Sequence, residues 1–102
     1  MDKIQEIGGG RFGRNFLLSL NYSRPLVSLT ADFMQITIET PFNGYTFTDK
    51  TCIEIERFSG FFSEGIRILH NTKPYPKLIV FWSSDVESLL NNFEALGFDI
   101  KK

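Results

Sequence analysis

The 102-residue sequence predicts an α+β domain: an antiparallel β-barrel or strongly bent sheet of six or seven short strands, capped by one C-terminal α-helix. From Asn15 to Trp82, segments with apolar residues at every second position succeed one another, broken by Gly, Pro, Asn and Asp. The stretch 85–96 then changes to helical periodicity and carries signals at both ends. Strands never alternate with helices along the chain, which excludes a doubly wound fold.

The composition suits one compact core. Hydrophobic residues make up 42% and charged residues 23%, and there are 11 Phe, 3 Tyr and 1 Trp; a buried ring removes ~150–250 Å² from water, so a few rings supply a core that needs no metal or disulfide. The expected organisation is a flexible N-terminal lead-in over 1–13, a single domain over 14–98 and a C-terminal tail over 99–102.

The elements follow in order. Gly8-Gly9-Gly10-Arg11-Phe12-Gly13 is too glycine-rich for a regular element. Asn15 to Tyr22 fits a strand, with Phe16, Leu18 and Leu20 on one parity, although Phe16-Leu17-Leu18 leaves a helix open. Val27, Leu29 and Ala31 oppose Ser28 and Thr30, and Met34, Ile36 and Ile38 oppose Gln35, Thr37 and Glu39, giving two half-buried strands. Pro41-Phe42-Asn43-Gly44 predicts a hairpin corner at positive φ, followed by a strand at Tyr45–Thr48. Thr51 to Phe58 alternates again, with Ile53 and Ile55 opposite Glu54 and Glu56. After a loop from Ser59 to Gly65, Ile66–His70 is a strand. Asn71 to Pro76 holds two prolines that must lie outside the ladder, and Lys77–Trp82 reads as a strand covered on both sides. Ser84 as N-cap with Glu87 three residues on predicts a capping box. Val86, Leu89, Leu90, Phe93 and Leu96 form one apolar stripe, and Gly97-Phe98 suits a Schellman end.

Gly65-Ile66-Arg67-Ile68-Leu69-His70, Tyr75-Pro76-Lys77-Leu78-Ile79-Val80-Phe81-Trp82 and the capped helix ending Leu96-Gly97-Phe98 resemble small bacterial proteins with a pleckstrin-homology-like (PH-like) fold. The likeness touches Pro25–Thr30 as well, covers roughly residues 25–98 and rests mainly on the last third. It implies a seven-stranded antiparallel barrel plugged by the helix, a scaffold used to bind phosphoinositides, peptides or further copies of itself. This chain departs from that pattern in two respects. The first strand-to-strand loop offers only Arg24 where the phosphoinositide signature places several cations, and the sole Trp, Trp82, precedes the terminal helix instead of lying in it.

Motifs that would carry chemistry are few. Gly8-x-Gly10-x-x-Gly13 with Asp32 beyond it matches the letters of the dinucleotide fingerprint, but no buried strand and following helix frame it. His70 is the only imidazole and has no marked nucleophile beside it, so it reads as a hydrogen-bonded strand-end residue. Cys52, the single cysteine, opens an alternating strand and lacks the flanking cations that activate a thiol. Glu54 and Glu56 share a strand face and simply face water. With no Cys/His cluster at ligand spacing, the sequence points to no metal, no cofactor and no enzyme. The lone cysteine favours a reducing, cytoplasmic setting, with peripheral membrane contact allowed. Met1–Ile7 lacks a signal-peptide pattern, and the longest apolar run, Leu78–Trp82, falls far short of the ~20 residues of a membrane span. A net charge of −1 argues against nucleic acid.

Two surface features remain. Phe61 and Phe62 lie side by side in the Gly/Ser-rich Phe58-Ser59-Gly60-Phe61-Phe62-Ser63, either tucked over the barrel mouth or exposed to dock on a partner. Arg67, Lys73 and Lys77 gather around the connection 70–77, either as an anion site or as a solvated hairpin tip. The expectation is therefore a binding module that engages a protein partner, or itself, through an unpaired strand edge and Phe61/Phe62. The alternative is weak anionic-lipid binding through Arg67, Lys73 and Lys77 with the Phe loop as a wedge.

Overall fold

The computed structural model describes residues 3–101. They form one curled α+β half-barrel: an eight-stranded sheet in the order β4-β3-β2-β1-β7-β6-β5-β8, with a single helix packed inside the curl near its C-terminal end. The strands are β1 (Lys3–Gly13), β2 (Ser19–Asp32), β3 (Ile36–Glu39), β4 (Gly44–Phe47), β5 (Glu54–Ser59), β6 (Glu64–Leu69), β7 (Leu78–Trp82) and β8 (Ile100–Lys101), and α1 spans Val86–Ala95. All pairings are antiparallel except β5 with β8. The bent sheet capped by one helix is as expected, with eight strands in place of six or seven.

The largest correction lies at the start. Residues 3–13 are no flexible lead-in but a central strand, hydrogen-bonded to β2 on one side and to β7 on the other. The glycines are there for close approach. A Cβ at Gly8 would collide with the Trp82 carbonyl oxygen, and one at Gly9 with the Tyr22 carbonyl oxygen. They sit mid-strand in an antiparallel sheet, with no helix following, so the dinucleotide reading has no frame. At the other end, Ile100 and Lys101 of the expected tail add β8 to the β5 edge at Ile55 and Glu56.

The expected strand at 15–22 begins only at Ser19, and it runs on through Val27–Ala31 as one strand, β2, bent by a register shift opposite Gly8 and Gly10. A bulge of this kind inserts residues and flips side-chain parity. Tyr22 packs inward with Phe12 at 5.9 Å, and the next inward residues are Val27, Leu29 and Ala31, on the opposite parity. Leu18 and Leu20, which share a parity with Phe16, are exposed.

Asn43-Gly44 turns without positive φ, which among the described residues occurs only at Gly97. The Thr40 side chain instead closes the corner: its hydroxyl accepts from Asn43 N at 3.0 Å, and Thr40 N donates to Asn43 O at 2.7 Å. Cys52 lies in a 3₁₀ turn (Lys50–Cys52), not at the head of a strand, and is exposed.

Helix α1 starts one residue later than its expected span. Asp85, not Ser84, is the N-cap and accepts from Ser88 N at 3.1 Å. That places Glu87 at the second helical position, one short of the capping-box site, and it turns to Arg57 instead. The C-terminal end forms as expected: Gly97 takes φ 89°, its N–H donates to Glu94 O and that of Phe98 to Phe93 O, while the Phe93 and Phe98 rings meet edge-on at 5.5 Å. Lys50 Nζ donates to the Leu96 carbonyl at 2.8 Å. Val86, Leu89 and Phe93 of α1 join Ile55, Ile66, Ile68 and Phe81 in one buried core cluster.

Candidate binding surface

A strand has two faces and two ends, and the two surface features lie at connections on either end of β6: the Phe tip before it and the segment 70–77 after it. Ile66, Ile68, Ile79 and Phe81 point into the core. Arg67 and Trp82 have the opposite parity and lie on the outer face, where Gly65 and Gly9 flank Trp82 on the neighbouring strands.

The β5–β6 connection is a tight hairpin, shorter than the Ser59–Gly65 loop expected from sequence. Gly60 N donates to Ser63 O at 2.8 Å, leaving Phe61 and Phe62 as the two residues of the tip. Their relative exposures are 85% and 101%, so the tucked arrangement does not occur. Arg57 stiffens the base: its guanidinium donates to Glu64 Oε1 at 3.0 and 3.2 Å and to Glu87 Oε1 at 2.6 Å, tying hairpin to helix. Both carboxylates hold the Arg57 charge and push its pKa above the ordinary value.

Aromatic rings back the tip. Phe16 touches Phe61 at 5.9 Å and Phe58 at 6.1 Å, and Phe58 touches Trp82 at 6.0 Å. Arg11 lies over the Phe16 ring at 4.1 Å while donating to the Phe16 carbonyl, and Trp82 Nε1 donates to Asn21 Oδ1 at 2.8 Å. A groove of about 580 Å³ runs between Asn21–Arg24 of β2 and the tip, floored by Gly9 and Trp82. The sequence reading found Phe61 and Phe62 but missed Phe16, Phe58 and Trp82. A signal was present, because Phe58 continues the solvent-facing parity of Glu54 and Glu56, where an aromatic ring is out of pattern.

The cations are elsewhere. Arg67 and Lys77 line a second groove, of about 770 Å³, together with His70, Asn71 and Thr72, but Glu54 and Asp99 line it as well. Lys73 is exposed and does not line it. Arg67 Nε is buried without a hydrogen-bond partner. Arg67 stands mid-strand opposite Val80, while His70 and Lys77 lie at the far end of β6–β7 from the Phe tip, the length of β7 away, about 13 Å at ~3.3 Å per residue.

The imidazole of His70 is fully engaged in local structure: Nε2 lies 2.8 Å from Pro76 O, and Thr72 N donates to Nδ1 at 3.0 Å. Cys52 Sγ donates to Asp49 Oδ2 at 3.3 Å. Hydrogen bonds from Thr51 and Cys52 hold the Asp49 carboxyl below its ordinary pKa.

Among the described residues no group of three or more His, Cys, Asp or Glu could hold a metal ion, and no helix is long and apolar enough to cross a membrane. No protein-family model, no curated protein and no solved structure matches the chain.

Proposed function

We propose that this chain is a non-enzymatic binding module on a PH-like scaffold, docking a protein partner, a second copy of itself included, through the Phe61/Phe62 hairpin. One observation carries this reading: two adjacent phenylalanines stand almost wholly in solvent on a short, braced turn. Exposing them has no folding benefit, and a rigid aromatic tip backed by further rings is the kind of anchor on which interface energy concentrates. The engagement of both His70 nitrogens by backbone supports the non-enzymatic part.

The anionic-lipid alternative needs Arg67, Lys73 and Lys77 to meet a bilayer together with the Phe wedge. Lys73 and Lys77 lie at the opposite end of β6–β7 and Arg67 mid-strand, a spread that favours the protein reading. Light scattering across a concentration series tests it. At about pH 7.5, where histidine is neutral, self-association that Phe61→Ser/Phe62→Ser abolishes is expected. A strict monomer at every concentration, paired with co-sedimentation on anionic vesicles that the same variant loses, would replace the protein partner with a membrane.

A further inference from the structure

The sheet ends in an edge at β4, yet that edge is stopped at its centre. The Tyr75 hydroxyl accepts from Thr46 N at 3.2 Å and donates to Thr46 O at 3.3 Å. A side chain far along the sequence thereby stands where a neighbouring strand would pair. Tyr75 is steadied by edge-on contacts with Tyr45 at 5.1 Å and Phe47 at 5.4 Å, and its N–H donates to Thr72 O.

The segment that carries Tyr75, residues 70–77, is latched at its base by His70. A backbone N–H meets only an unprotonated ring nitrogen, so the bond from Thr72 N leaves Nδ1 bare and the proton on Nε2, facing Pro76 O. The latch is thus the neutral imidazole. Protonation would set a second N–H against that of Thr72. Phe47 of β4 packs on the ring at 5.0 Å. The charged and titratable groups around it are Arg67 of β6, Glu54 of β5, Cys52 of the 3₁₀ turn, Asp99 before β8, and Tyr75 and Lys77 of the strap, with Lys73 exposed at its tip. Burial is the main force lowering the His70 pKa below 6.5; the Pro76 bond opposes it and the Arg67 charge reinforces it.

We propose that residues 70–77 are an acid-released strap over the β4 edge, and that the freed edge pairs with the same edge of a second copy of this chain. This goes beyond the Phe61/Phe62 reading and is independent of that surface. The occupant follows from Thr46. Its edge-facing N–H and C=O are the pair that two opposed residues exchange in an antiparallel ladder. On a two-fold axis, Thr46 meets Thr46 of the second copy and satisfies both groups, the self-complementarity an isologous interface requires. Gly44–Phe47 carries no charge, so nothing repels across that axis.

The test uses the full chain with Phe61→Ser/Phe62→Ser, which removes the other surface. Light scattering and the Thr46 amide protection factor are measured at about pH 7.5 and about pH 4.5, the lower value set well under the ordinary histidine range because burial depresses the His70 pKa. Expected are a monomer with protected Thr46 at the higher pH, and a dimer at the lower. In the monomer that remains there at low concentration, Thr46 protection falls about tenfold or more. Tyr75→Phe, which keeps the ring and loses the hydroxyl, dimerises at both. His70→Asn stays monomeric at both, because its side-chain oxygen accepts from Thr72 N as an Asx turn and does not titrate. Unchanged Thr46 protection in acid overturns the strap. An acid-exposed Thr46 amide in a chain that remains monomeric overturns the second copy as occupant. Either failure leaves the Phe61/Phe62 reading standing, since that surface is absent from every protein in the test.

Discussion

The two ends of the β6–β7 pair solve opposite problems. At one end the Gly60–Ser63 turn satisfies its own backbone, is braced by Arg57, and sets two rings in water. At the other, the longer connection 70–77 folds back so that His70 and Tyr75 bond to backbone and pack on Tyr45 and Phe47. Both ends are rich in aromatic residues. The difference lies not in aromatic content but in exposure: Phe61 and Phe62 stand in solvent on a braced turn, with only the Phe16 ring against Phe61, whereas the rings of His70 and Tyr75 pack against Phe47 and, for Tyr75, Tyr45.

This contrast makes its largest prediction for stability. Tyr75→Ala removes ring contacts with Tyr45, Phe47 and His70 and both bonds to Thr46, and costs about 2–4 kcal/mol for a large, partly buried ring with hydrogen bonds. Phe61→Ser/Phe62→Ser shifts stability by no more than about 0.5 kcal/mol, as exposed substitutions do. Urea denaturation of the two variants checks the pair. Equal losses would mean that the Phe tip is packed and the comparison is wrong.

How far the sequence revealed this arrangement depended on the range of the interactions. The Schellman end at Gly97-Phe98 was legible to the residue because its bonds close within five positions. Strand β1 was not. Gly8 and Gly9 resemble a loop until Trp82 and Tyr22 carry their carbonyls against them, one of these some seventy residues away in sequence. The parity flip inside β2 hid one strand as two, since the bulge that causes it exists only against β1. At the site, Phe61 and Phe62 stood out by adjacency, whereas the rings that back them come from β7, β5 and the β1–β2 turn. Tyr75 as a plug on β4 had no local signal at all.

A pH effect follows at the strap end and not at the tip. The His70 pKa is lowered in the folded chain from 6.5, so the unfolded chain binds a proton first as pH falls. Stability from this group is fully present above about pH 6.5 and declines as pH drops below it, levelling off beneath the depressed folded value. Denaturation midpoints measured between about pH 8 and pH 5 therefore fall on the acid side, by up to ~1.4 kcal/mol for each unit by which the folded pKa is lowered. His70→Asn loses that acid-side component. A wild-type midpoint as flat across this range as that of His70→Asn would show that the imidazole is not held neutral.

The smallest effect on stability has the most to say about the tip. Arg57 and its two carboxylates are solvent-exposed, and exposed ion pairs contribute little to folding. Arg57→Ala is expected to leave the denaturation midpoint unchanged within error while loosening residues 60–63, with backbone order parameters there falling from about 0.85 toward about 0.6. A loosened tip must be ordered again on docking, at about 0.5–1.5 kcal/mol for each side chain immobilised. Self-association through Phe61/Phe62 should then weaken about tenfold with both rings intact. If Arg57→Ala instead associates as well as wild type while its hairpin is measurably mobile, rigidity is not part of the docking surface, and exposure of the rings alone separates the two ends.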